Sequence, residues 1–137
     1  MKIDLTLLEK ENLKKNKLKI KNLNNFSIDE IEKVLNITEM RAKEIKALIE
    51  FQKISSIGIK FAHDLISLGY YSIEELKYKN GYDLFRNLEK LYGTSIDPCV
   101  EDQFRLVIYN ANNLNSNKKW WDFTNERKKY RLLIGGQ

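Results

Sequence analysis

From Ser27 onward, apolar residues recur three and four positions apart, the spacing that lines one face of an α-helix. Ser27-Ile28-Asp29-Glu30-Ile31 reads as a capping box opening a short helix to about Leu35, with the Ser27 hydroxyl and the Glu30 carboxylate satisfying each other's backbone amides. Asn36-Ile37-Thr38 breaks that helix. Thr38 is the next N-cap, and Ala42, Ile45 and Ile49 stripe a helix to about Phe51. A helix after Gly58 turns Phe61, Ala62, Leu65 and Leu68 inward, leaves Lys60, His63, Asp64 and Ser67 toward water, and ends at Gly69. Ser72 caps a short helix to about Tyr78, Asn80-Gly81 marks a turn, and Leu84, Leu88 and Leu91 stripe a helix that stops at Gly93. Asp97-Pro98-Cys99-Val100-Glu101-Asp102 is the clearest helix start in the chain, an Asp N-cap followed by Pro and first-turn acids. There Val100, Phe104, Val107 and Ala111 face one way, with Arg105 and Tyr109 on the other side. The pattern predicts an all-α fold. Before Ser27 it is less decisive: Leu13 to Leu23 alternates Lys with Leu18, Ile20 and Leu23, which suits a strand, a frayed helix or an arm.

An internal repeat organises these elements. Twenty residues separate Ile37, Ala42, Glu44 and Ile45 from Ile57, Ala62, Asp64 and Leu65, and Phe26-Ser27-Ile28-Asp29-Glu30-Ile31 returns as Tyr71-Ser72-Ile73-Glu74-Glu75-Leu76. The same helix-turn-helix unit is written twice, so each amphipathic hairpin can bury its apolar side on the other. The second copy, Ile54-Ser55-Ser56-Ile57-Gly58-Ile59-Lys60-Phe61-Ala62-His63-Asp64-Leu65, matches a helix-hairpin-helix, h-x-G-h-G-x-x-x-A-x-x-h, with Ser56 in place of the first glycine. In that motif the hairpin glycines take left-handed angles and bare amides point outward at a helix start, where partial positive charge can hold a phosphate. The candidate phosphate-binding donors are therefore Ser56, Ile57, Gly58, Ile59 and Lys60, with Lys60 the nearest cation. The first copy, lacking glycine, engages its turn amides in helix capping. A plain structural hairpin is the competing reading of the same residues.

At 137 residues and 42% hydrophobic, the chain suits one domain. We divide it into a lysine-rich N-terminal segment or arm (1–25), a tandem helix-hairpin-helix domain with a C-terminal helix and a Trp-rich closing segment (26–131), and a disordered tail (132–137). One cysteine and one histidine exclude an internal disulfide and a Cys/His zinc cluster. No run is long and apolar enough to span a bilayer and no signal peptide opens the chain, so a cytoplasmic location is expected, with no membrane partner. The net charge of +5 sits at the two ends. Residues 1–21 hold seven lysines against three acids and residues 117–131 six basic groups against two, while the middle is mildly acidic. Lys118, Lys119, Arg127, Lys128 and Lys129 are auxiliary nucleic-acid contacts if the C-terminal end folds back beside the hairpin, and solvated surface charge otherwise.

The remaining chemistry is sparse. Cys99 near a helix start could be activated by the dipole, but Glu101 and Asp102 oppose a thiolate and no base is placed beside it; a half-buried structural cysteine fits better. Glu101 and Asp102 point about 100° apart and read as surface groups complementing the dipole. His63 reads as a solvated surface histidine. Trp120 and Trp121 beside Lys118 and Lys119 could stack on bases. Alternatively, together with Phe123, they close the domain over Tyr109. No catalytic residue, metal or cofactor is implied.

The stretch from Ile54 through Arg131 resembles the bacterial pathogenicity locus family of small helix-hairpin-helix proteins. The resemblance is carried by Ile57-Gly58 with Phe61-Ala62, Asp64 through Ser72, Ile96-Asp97-Pro98-Cys99-Val100-Glu101-Asp102, Phe104-Arg105-Leu106, and Trp120-Trp121-Asp122-Phe123 with Glu126-Arg127. It implies association with DNA through the hairpin. The expectation is a non-enzymatic protein that binds DNA weakly and without sequence preference. The alternative is a protein-interaction module or adaptor whose hairpin is only architecture.

Overall fold

The structure, a computed structural model, describes residues 1–135. Among them the chain is all-helical: α1 (Leu7–Lys15), α2 (Ile28–Leu35), α3 (Glu39–Gln52), α4 (Ile59–Ser67), α5 (Gly81–Tyr92), α6 (Cys99–Asn112) and α7 (Thr124–Leu133), with short 3₁₀ segments at Ile20–Asn25, Glu74–Leu76 and Trp120–Phe123. Neighbours in sequence pack on one another, α1 on α2, α2 on α3, α3 on α4, α5 on α6 and α6 on α7. The core is one cluster running from Ile3 to Phe123, with Leu23, Ile31, Leu35, Ile45, Leu48, Phe51, Leu65 and Phe104 among its fully buried members.

The N-terminal segment is helical and belongs to this core. Thr6 and Glu9 form a capping box for α1, the Glu9 amide donating to Thr6 Oγ1 at 3.1 Å and the Thr6 amide to Glu9 Oε1 at 2.9 Å. Leu13 and Leu23 are buried, and Asn12 Nδ2 donates to the Leu35 carbonyl at 2.8 Å. The Arg41 guanidinium then ties α1 to α3, donating to Glu9 through Nε at 2.8 Å and through Nη2 at 2.9 Å.

Four of the connections share one backbone device. A residue with positive φ stands two positions before the next N-cap at Lys17 (φ 56°), Asn36 (54°), Ser56 (67°) and Tyr78 (67°), ahead of Lys19, Thr38, Gly58 and Asn80. None of these left-handed residues is glycine, so each costs roughly 1–2 kcal/mol of local strain, which the burial of the flanking helices offsets.

Three expectations change. Leu91, placed on the buried stripe of α5, is exposed, since Leu84 and Leu88 already fill the contact with the core. The first four residues of the expected disordered tail are structured: Leu132 and Leu133 are the last residues of α7, and Ile134 and Gly135 form its closing turn. Gly136 and Gln137 lie outside the described residues. The largest correction concerns Glu101 and Asp102, expected at the surface and here wholly buried. Arg131 donates to Glu101 Oε1 from Nε at 2.9 Å and from Nη2 at 2.6 Å, and Arg105 Nε to Glu101 Oε2 at 2.9 Å. Arg127 Nε reaches Asp102 Oδ1 at 2.7 Å, and the Thr124 hydroxyl donates to Asp102 Oδ2 at 2.7 Å. The acids sit beneath α7, which brings its arginines and Thr124 down to them. Buried charges survive only when paired and hydrogen-bonded in this way.

Two predictions follow from these contacts. Asp102→Ala leaves Arg127 buried without its counter-charge and should lower unfolding free energy by about 3–5 kcal/mol, read as a shift in urea midpoint at unchanged slope. The double variant Asp102→Leu with Arg127→Met should recover most of that loss. In the second case, the Arg41 hydrogen bond holds the Glu9 carboxyl below the usual glutamate range. A depressed folded-state pKa gives stability that is present at neutral pH and lost as pH falls through the folded-state value. Glu9→Gln should therefore be less stable than wild type at neutral pH, with the gap closing as acid protonates the wild-type carboxylate.

Candidate functional site

The connection from α3 to α4 runs through Lys53 to Gly58 and is held from within. The Ile54 amide donates to the Phe51 carbonyl at 3.2 Å and the Ile57 amide to the Ile54 carbonyl at 3.1 Å, while the Ile54 and Ile57 side chains are buried. Gly58 is the N-cap of α4, and its carbonyl accepts from the Ala62 amide at 3.1 Å. Among the described hydrogen bonds, none is donated by the amides of Ser56, Gly58, Ile59, Lys60 or Phe61. Gly58 and Lys60 are exposed.

The equivalent turn between α2 and α3 differs by one side-chain cap. Thr38, the counterpart of Gly58, uses its hydroxyl to accept the Arg41 amide at 3.1 Å. Gly58 has no side chain to do this for Phe61, so the start of α4 lacks the side-chain cap that the start of α3 has.

Gly58 does not take the left-handed conformation expected of a hairpin glycine; its φ is −104°, which any residue adopts. The left-handed residue is Ser56, at the position where the motif has its first glycine. A Cβ built on Gly58 meets nothing within 4 Å. Neither backbone angle nor internal packing calls for glycine here.

Ser56 explains how the turn does without its first glycine. Its hydroxyl accepts the Trp120 amide at 3.0 Å, and the adjacent Ser55 hydroxyl is bonded to the Lys119 ammonium. The C-terminal segment therefore lies against the turn, and Lys119 joins Lys60 as a cation beside it. Lys118 points elsewhere, its Nζ 4.8 Å from the centre of the Tyr109 ring. Asp122 turns back to accept the Lys119 amide at 2.9 Å.

The other sequence candidates separate. Ile57 leaves the donor set because its amide is taken by Ile54. Arg127 leaves the nucleic-acid contacts because it is buried on Asp102, whereas Lys128 and Lys129 are exposed. Asp64, expected toward water, is buried and accepts the Tyr92 hydroxyl; burial pushes its carboxyl above the ordinary aspartate range. His63 is partly exposed and lies 3.0 Å from Asp4. Cys99 is partly buried, and burial together with a hydrogen bond to Asp97 raises its thiol, opposite to what a reactive cysteine needs. The tryptophans divide: Phe123 is buried 5.6 Å from Tyr109 and Trp120 is partly buried, but Trp121 is 54% exposed and does not close the domain. Sequence reasoning missed the link from Ser55 and Ser56 to Lys119 and Trp120, which spans 64 residues and leaves no periodic trace.

Ser56→Ala should be less stable than Ser56→Gly by about 1 kcal/mol. Both lose the acceptor for the Trp120 amide, but glycine relieves the left-handed strain. Chemical denaturation of the two variants side by side checks this.

No helix among the described residues is long and apolar enough to cross a membrane. Over 80 residues the chain is 29% identical to the mitomycin resistance protein McrB of Streptomyces lavendulae, covering 58% of this chain and 73% of that protein. No solved structure matches it. The model of the pathogenicity locus (Cdd1) family matches residues 44–129, a span that holds the Gly58 turn, the buried Glu101 and Asp102, and the segment from Lys119 to Phe123 that rests on the turn. The chain belongs to the pathogenicity locus family.

Proposed function

We propose that this protein binds DNA, without catalysis and without reading base sequence, by seating a backbone phosphate on the uncovered amides at the start of α4. In this reading α2–α3 and α3–α4 are two helix-hairpin-helix units sharing a helix, the first closed and structural, the second the contact. The observation that carries it is Gly58, a glycine required by neither its φ nor its surroundings, at the one of the paired turns that has no side-chain cap. A β-carbon there would stand between a phosphate and the donors. Lys60 and Lys119 supply the flanking positive charge, and Lys128 and Lys129 add to the long-range attraction. With so few contacts the affinity should be of order 10⁻⁴ to 10⁻⁶ M, with a shallow dependence on salt.

A second reading, a protein-interaction module, is favoured by the end of α7, where Leu132 and Leu133 are exposed. It differs in outcome, since a protein partner would be insensitive to the Gly58 turn.

Threonine at position 58 separates fold from function, because it restores the cap that Thr38 provides in the other turn. Gly58→Thr should keep wild-type thermal stability to within a few tenths of a kcal/mol. It should nonetheless weaken binding of labelled DNA at low salt by about tenfold, and Lys60→Glu in addition should remove what remains. Binding unchanged by both substitutions, or no binding by the wild type, would sink the proposal.

A further inference from the structure

Trp121 is an exposed aromatic ring held in a fixed place. Its neighbour Trp120 is anchored through its amide to Ser56 at 3.0 Å, and the two indoles meet edge to face, with centroids 5.4 Å apart at 84°. The 3₁₀ turn that carries both is itself pinned by Phe123 in the core and by Asp122 on the Lys119 amide. Trp121 is therefore one residue from the contact with the Gly58 turn, and more than half of it faces water. Among the described residues lysine and arginine sit over Tyr70, Tyr71, Tyr78, Tyr82, Phe85, Tyr109, Phe123 and Tyr130, but none sits over either tryptophan.

We infer that Trp121 is a stacking platform for an unpaired base, so that the preferred nucleic acid is single-stranded or frayed DNA rather than intact duplex. This rests on the DNA-binding reading above: the strand's phosphate lies at the Gly58 turn, flanked by Lys60 and Lys119, and the adjoining base turns onto the indole. A base locked in duplex cannot present its face to the ring, whereas every free base can, so the contact discriminates strandedness without discriminating sequence. Trp120 packs against Trp121 edge to face, so the ring has support on one side before the strand arrives. Asp122 keeps its negative charge while accepting the Lys119 amide, so the attraction of a strand rests on Lys60 and Lys119 outweighing it.

The test compares an oligothymidine with a blunt duplex of equal length, titrated at low salt against wild type, Trp121→Ala and Trp121→Phe. Wild type should bind the single strand more tightly and quench its tryptophan emission on doing so. Trp121→Ala should lose about tenfold on the single strand and less than twofold on the duplex, with Trp121→Phe between the two and all three melting at the same temperature. Equal binding of both DNAs, unmoved by Trp121→Ala, would overturn the stacking role and leave the phosphate contact at Gly58 intact. A loss shared equally by both DNAs would also overturn it. Failure of wild type to bind either DNA would remove both.

Discussion

The buried carboxylates of Glu101 and Asp102 decide where the C-terminal third of the chain can go. Each is out of water and tolerable there only with a cation in contact, and the cations are on α7 and on the neighbouring turn of α6. Arg131 and Arg127 must therefore descend onto α6, and Thr124 must stand where its hydroxyl meets Asp102. With α7 fixed at its start, the 3₁₀ segment just before it, Trp120 to Phe123, has little freedom, and it is that segment which braces the α3–α4 turn through Ser55 and Ser56. Arg131 is also stacked 4.8 Å above the Phe85 ring, which extends the same constraint to α5.

Seen this way, the most distinctive sequence runs of the family have an architectural explanation. Asp97 to Asp102 supplies the acids, Trp120 to Phe123 the brace, and Arg127 one of the counter-charges. Sequence reading took the two acids for solvent-facing complements of the helix dipole, because acids in a first turn usually are. Nothing local distinguishes that case from a buried one. The distinguishing facts are Arg127 and Arg131, placed four apart on a helix more than a turn of chain away, and only the packing shows that they face inward.

The helices from Ser27 onward were largely legible because their caps are written in neighbouring residues. The Ser27 and Glu30 pair, Thr38, and Gly93 with φ 70° all act where the pattern put them. The N-terminal helix was not, although Thr6-Leu7-Leu8-Glu9 carries the same capping signature. Leu7 and Leu8 follow the cap but are exposed, and the residues that do face the core, Leu13 and Leu23, fall in two different elements. Gly58 and Lys60 of the candidate site could be named from sequence. What escaped was the division of labour in the turn, with the left-handed angle at Ser56 and the bare cap at Gly58, since a serine in that conformation is stabilised by a contact remote in the chain.

The Arg131 contact has a consequence for where this folding unit ends. The family match closes at residue 129, two residues short of Arg131, one of the two guanidiniums that hold Glu101. At its other boundary, residue 44, the match cuts through α3 and omits the Arg41 tie to α1. A fragment trimmed to the matched span would keep every signature residue yet expose half of a charge pair at one end and an unclad helix at the other. The cooperative unit is larger than the recognisable one.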